Sequence, residues 1–166
     1  MKFVFGLDPG FLHFHATRPG AAVLHPRAVP GSFQSELWRH DVTEFFLADP
    51  SRGQYLEVNL APNGAWWACL FRGPRQPIDP KGWEIPGVSA EGALGTASWE
   101  ASIRIPIGVL RERLFFGPAS RLDATFIINS PQQSFLCAST PSGGDPDFHR
   151  PAAWPPVEMV PLEEAL

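Results

Sequence analysis

Residues 37–72, LWRHDVTEFFLADPSRGQYLEVNLAPNGAWWACLFR, decide how this chain folds. Three runs with alternating character are separated by two turn-rich breaks, DPSRG and PNG, which is the pattern of a β-meander. In residues 54–60, Leu56, Val58 and Leu60 alternate with Tyr55, Glu57 and Asn59, so one face of that strand is dry and the other polar. In residues 65–72, Trp66, Ala68, Leu70 and Arg72 share one face, and Ala65, Trp67, Cys69 and Phe71 share the other. Residues 37–47 are expected to form the first central strand, with Trp38, His40, Val42, Glu44 and Phe46 opposite Leu37, Arg39, Asp41, Thr43 and Phe45. Neither of those faces is purely apolar, so periodicity alone leaves its inward side open.

Working outward, FVFGL and FLHFHAT flank Asp8-Pro9-Gly10 and predict a first hairpin. AAVLH (21–25) predicts a further short strand, and residues 26–35 a loop. Residues 73–97 form a long irregular segment rich in Pro and Gly. SWEASIRIPI (98–107) alternates as a strand, IGVLRERL (107–114) predicts one or two helical turns after Pro106, and the β-branched ATFIINS (124–130) predicts a central strand. SFLCAS (134–139) and VEMV (157–160) complete the set, the latter as an edge strand. About nine to eleven short strands with little helix predict an all-β antiparallel sandwich, jelly-roll-like, with long loops.

The chain has 166 residues, which suits one domain over 1–166. Hydrophobic residues make up 44% and charged residues 18%, the balance of a globular chain rather than a disordered one. The 19 Pro and 15 Gly are dispersed between apolar runs, where they punctuate strands. The net charge is −4 and no basic block occurs, so neither nucleic acid nor an anionic membrane is an expected partner. The apolar run at Phe3–Leu7 is too short for a secretory signal, and no run is long enough to span a membrane; a cytoplasmic location is expected. Cys69 and Cys137 lie in apolar runs without metal-ligand spacing and are expected to be free buried thiols, with a disulfide as the alternative.

The side chains that suit a polar ring-shaped ligand are the aromatics and acids of the meander. Glu44, Glu57, Asn59 and Arg72 could form a polar cluster across neighbouring strands, offering the paired acceptors and donors that diols require. A cross-strand ion pair on a solvated face is the plainer reading of the same residues. Trp38 could stack on a sugar face, or belong to the core. Trp66 and Trp67 point to opposite faces, so at most one belongs to the site side; Trp66, which shares a face with Arg72, is the assigned candidate. His149 reads as a structural hydrogen-bonding residue, and His13, His15, His25 and His40 lack zinc spacing.

Several of these residues also carry a resemblance. Leu37-Trp38 followed by Asp41, Glu44 and Phe46 resembles the LW-x-x-D-x-x-E-x-F element of family 9 carbohydrate-binding modules and the related DOMON-like sandwiches. Tyr55, Glu57, Asn59, Pro62 and Gly64 resemble the strand and turn that follow it, Trp99–Pro106 resembles the later W-x-x-x-x-x-I-P strand, and Asp147-Phe148-His149-Arg150-Pro151 resembles the D-F-H-x-P segment. The resemblance implies an antiparallel β-sandwich that binds sugars without catalysis, Trp38 as a stacking residue and Glu44 as a hydroxyl acceptor. Where a second stacking tryptophan is expected, this chain carries Phe135, with Trp154 further on. Calcium sites occur in some members. Asp41 and Asp49 are the nearest acids to that role, but no acidic loop supplies six oxygens, so no cofactor is expected.

Three other functions compete with sugar binding. A structural or protein-interaction sandwich needs no ligand at all. A haem-binding DOMON-type module needs axial ligands, and the only methionines are Met1 and Met159. A glycosidase would use Glu44 and Glu57 as its carboxylate pair, separated by about 5–10 Å.

Overall fold

The alternation of apolar side chains in the meander becomes the inner face of one sheet of a sandwich. The computed structural model describes residues 1–129, 132–139, 147–158 and 160. Its strands are β1 (Lys2–Leu7), β2 (Phe11–Pro19), β3 (Val42–Asp49), β4 (Gln54–Leu60), β5 (Trp66–Phe71), β6 (Ser89–Leu94), β7 (Ser98–Pro106), β8 (Arg121–Ile128) and β9 (Ser134–Cys137), with one helix, α1 (Ile107–Leu114). A four-stranded sheet runs in the order β1-β2-β7-β6 and a five-stranded sheet in the order β5-β4-β3-β8-β9. Every pairing between these strands is antiparallel, so the expected antiparallel β-sandwich is the observed fold.

The two inner faces interdigitate. Leu56, Val58 and Leu60 of β4 meet Trp99, Ile103 and Ile105 of β7 in one buried cluster. Phe14 of β2 sits with its ring centroid 4.8 Å from Phe5 and 4.9 Å from Phe45, which ties the first hairpin to the opposite sheet. Removing one such ring from a packed core costs about 3–5 kcal/mol. The hairpin turn is fixed by Asp8, whose Oδ1 accepts from the backbone N–H groups of Gly10 at 2.7 Å and Phe11 at 2.8 Å. Helix α1 packs on β7 and β4, burying Ile107, Leu110 and Leu114.

The β4–β5 turn clips the two sheets together along one edge. Gly64 has φ +85°, which an L side chain adopts only under strain. A Cβ on Gly92 of β6 would stand 2.1 Å from the Pro62 carbonyl oxygen, so this contact is backbone against backbone.

Four expectations need correction. The strand over 37–47 begins only at Val42, because Leu37–Arg39 form a 3₁₀ turn after Glu36 at φ 64°, which buries Leu37 against Val42, Ala61, Ala65 and Ile127. Residues 21–25 form no strand: the backbone of Val23 bonds instead to Asp41, its N–H reaching Oδ2 at 3.1 Å and its carbonyl accepting from Asp41 N–H. The segment 73–97 contains β6, whose SAEGAL sequence has weak strand propensity and is held by pairing with β7 rather than by burial. Of VEMV, Val157, Glu158 and Val160 are not in a strand and Met159 lies outside the described residues; the nearest sheet contact is a single bridge from Arg121 to Pro156.

Candidate binding site on the outer sheet face

The outer face of the five-stranded sheet divides into two covered apolar patches with a polar band between them. The register fixes the band. Glu44 of β3 lies opposite Asn59 of β4 on one side and Thr125 of β8 on the other, and Asn59 in turn lies opposite Trp67 of β5. Glu57 stands one step along, opposite Phe46. Because strand side chains alternate, all of these project from the same face.

Each apolar patch has its own lid. Trp154 is 1% exposed and covers Phe46 and Tyr55, with ring centroids 5.2 and 5.3 Å away. At the other end Leu37 closes over Val42, Ala65 and Ile127. Between the lids remains a hollow of about 460 Å³. Glu44 and Glu57 line its floor, and Trp38, Trp67, Phe135 and Phe148 stand around it, with Glu36, Arg75 and His149 also at its wall.

The floor carboxyls are strongly perturbed. Glu44 is 3% exposed and Glu57 7% exposed. Burial, followed by the neighbouring Glu57 carboxyl, pushes Glu44 well above the usual carboxylate range, against a hydrogen bond at 3.2 Å that the Thr125 hydroxyl donates. Burial raises Glu57 to about 7, opposed by the Asn59 amide, which donates at 2.7 Å, and by the positive charge of Arg75. His149 moves the other way: burial, then Arg75, hold it down to about 4.

A short relay of hydrogen bonds holds that histidine in place. The backbone N–H of Arg75 donates to Tyr55 Oη at 3.2 Å, and the same hydroxyl is hydrogen-bonded to His149 Nδ1 at 2.6 Å. The other ring nitrogen, Nε2, stands 3.8 Å from Glu57 Oε2.

The structure distributes the sequence candidates unevenly. Trp38, Glu44 and Glu57 come together at the hollow, Trp38 as a half-exposed ring at 48%. One approach to that ring is taken by Arg39, whose guanidinium is 5.3 Å from the centroid. Asn59 lies fully buried beneath Glu57 rather than on the lining. Trp66 is corrected: it is 4% exposed and belongs to the inter-sheet core, because it pairs with the inward Leu60. The opposite-facing Trp67 lines the hollow instead, its indole N–H donating to the Lys81 carbonyl at 3.3 Å. Arg72 is also corrected: β5 ends at Phe71, Arg72 is exposed and off the lining, and the guanidinium at the wall belongs to Arg75 in the following turn.

The remaining candidates have other duties. Asp41 Oδ1 accepts from Asn129 N–H at 2.6 Å, and Asp49 Oδ1 accepts from Ser51 N–H at 2.9 Å. Among the described residues no group of three His, Cys, Asp or Glu side chains stands close enough to hold a metal ion. Cys69 and Cys137 are free thiols, Cys69 buried and Cys137 half-buried. Among the described residues no helix is long and apolar enough to cross a membrane.

Comparison with known proteins follows from this geometry. No family model matches the chain. It is 32% identical over 133 residues to the UPF0462 protein C4orf33 homolog of Mus musculus, covering 75% of this chain and 64% of that protein. It is 29% identical over 133 residues to the UPF0462 protein C4orf33 homolog of Rattus norvegicus, covering 75% and 62%. The chain thus spans less than two thirds of the length of these curated relatives. Among solved structures, a Bacteroides uniformis protein provisionally described as carbohydrate-binding matches with a TM-score of 0.71 at 18% identity, covering 92% of this chain and 74% of that one. A family 9 carbohydrate-binding module from Caldicellulosiruptor kristjanssonii, solved in complex with glucose, matches with a TM-score of 0.54 at 14% identity, covering 85% and 67%. These likenesses establish the fold: the chain is an antiparallel β-sandwich of the kind that carbohydrate-binding modules share.

Proposed function

We propose that the outer-face hollow is a non-catalytic binding site for carbohydrate. One observation carries this reading: a single open hollow combines the indole rings of Trp38 and Trp67 at its wall with the carboxyls of Glu44 and Glu57 on its floor. A sugar ring presents C–H groups on its faces and hydroxyls at its edge. The first suit an aromatic face and the second suit paired carboxyl and amide groups. Phe135 stands at the hollow where the motif resemblance expects the second stacking ring, and Phe148 and His149 of the D-F-H-x-P segment stand there too. The ordered motifs set the chain beside family 9 carbohydrate-binding modules and DOMON-like sandwiches, and the modules of that shape solved with glucose and with cellotriose support the same ligand class.

Binding without turnover fits the arrangement better than hydrolysis. A glycosidase places its two carboxyls on either side of the scissile bond. Here both rise from adjacent strands of one floor, so they meet the same edge of a ligand.

Titration calorimetry with glucose and cellotriose tests the proposal. Saturable binding that Trp38→Ala weakens, with the fold retained, supports it. No heat of binding from either sugar, or binding unchanged in Trp38→Ala and Trp67→Ala together, removes it.

A further inference from the structure

The charges around the hollow are unequally neutralised. Glu36 at the rim is held by Arg39 at 2.8 Å and faces Arg27 at 3.7 Å. Arg75 directs its guanidinium to Asp147 at 3.1 Å, and Arg150 reaches that same carboxylate at 3.4 Å. His149, held down to about 4 by burial and Arg75, is a neutral imidazole hydrogen-bonded to Tyr55. The Glu44–Glu57 pair is less fully neutralised: among the described residues no arginine or lysine stands within ion-pair distance of either carboxyl, and the Arg75 charge acts on Glu57 from farther off. Among the described residues Glu44 has no ion-pair partner, and the one ionisable nitrogen within 4 Å of the Glu57 carboxyl is His149 Nε2 at 3.8 Å. On the same face the buried Oδ1 of Asn59 has no hydrogen-bond partner among the described residues. Around this acidic floor stand Trp38, Trp67, Phe135 and Phe148. Aromatic faces attract organic cations, and carboxyls supply the charge-assisted bonds an ammonium needs.

We propose that the hollow selects a ring ligand carrying an ammonium group, an amino sugar, over its neutral and anionic counterparts, with Glu44 and Glu57 receiving the ammonium while the ring lies on Trp38. This inference rests on the carbohydrate reading above and names the substrate class within it. Ammonium binding is coupled to proton loss. Burial keeps the pair partly protonated near neutral pH. An arriving cation favours the ionised form, so a carboxyl O–H breaks and its proton leaves to solvent as the ammonium enters. A neutral sugar requires no such release, and a uronic acid meets like charge.

The test is calorimetric titration at pH 7 with glucosamine, glucose and glucuronate, repeated in two buffers of different ionisation enthalpy. Glucosamine is expected to bind about tenfold more tightly than glucose, with protons released to the buffer, and glucuronate to bind weakest. In Glu57→Gln, with folding verified by near-ultraviolet circular dichroism, both sugars are expected to bind more weakly and the preference for glucosamine over glucose to fall to about parity. Glu44→Gln provides the same comparison should the first variant fail to fold. Glucose binding as tightly as glucosamine, or a preference unchanged in the folded variant, overturns ammonium selection and leaves the carbohydrate reading intact. Failure of all three sugars to bind overturns both.

Discussion

Two tryptophans show how much a single residue's facing decides. Trp38 is half exposed at the hollow, whereas Trp66 is 4% exposed between the sheets. We predict that Trp38→Ala leaves thermal stability nearly unchanged and weakens sugar binding by about 1–2 kcal/mol, roughly five- to thirtyfold. Trp66→Ala should instead cost about 3–5 kcal/mol of stability, measured by urea denaturation. Large destabilisation from the first and none from the second would reverse their assignment.

Glu57 makes a prediction about pH. Its folded-state value is about 7 against an ordinary 4.5, so the folded protein holds a proton that the unfolded chain has released. Stability therefore falls as pH rises through 7. Between pH 6.5 and 8.5 the loss from Glu57 alone is on the order of 1 kcal/mol, and Glu44 adds to it in the same direction. His149 acts oppositely, mostly below this range, between its ordinary 6.5 and about 4, where the unfolded chain gains a proton first; at pH 6.5 the unfolded imidazole is still half protonated, which offsets about 0.4 kcal/mol of the loss. Denaturation midpoints at pH 6.5 and 8.5 should drop in the wild type and drop less in Glu57→Gln. A flat or rising wild-type profile would contradict the buried, partly protonated pair.

At the scale of elements, the hairpins were legible because their alternation and turns agree. The inward set Leu56, Val58 and Leu60 and the turn at 62–64 were visible in sequence, and both survive in β4 and its turn. The same turn also fixes which tryptophan faces out: with Glu57 and Asn59 outward and Leu60 opposite Trp66, the outward residue must be Trp67. That parity signal was present, and grouping Trp66 with Arg72 overlooked it. Other parts had no local signal. The 3₁₀ turn at Leu37 replaces strand because a distant surface, Ala61, Ala65 and Ile127, needs a cover. Strand β6 is written in Ala, Gly and Glu and exists through its partner β7. Arg75 reaches the hollow from a turn whose path periodicity cannot describe.

Two glycines test these element contacts. A Cβ on Gly82 would stand 2.3 Å from Trp67 Nε1, so Gly82→Ala should displace the Trp67 indole and weaken ligand binding. A Cβ on Gly92 would collide with the Pro62–Gly64 turn, so Gly92→Ala should destabilise by about 1–3 kcal/mol with less effect on the hollow. Wild-type thermal stability in Gly92→Ala would show that the clip between β6 and the turn yields freely.

For the whole molecule, the sandwich divides its labour between two faces of one sheet. The inner face carries the apolar core that holds the fold. The outer face is closed at both ends by Trp154 and Leu37 and left open over the acids between them. The chain contains six Trp, each giving one indole N–H resonance in an uncrowded region of a ¹⁵N–¹H correlation spectrum. Following those resonances during titration with glucose, and then glucosamine, tests the central claim most directly. The account predicts saturable shifts at Trp38 and Trp67 while Trp66 and Trp99 stay still. Shifts confined to other tryptophans, or none at any sugar concentration, would contradict it.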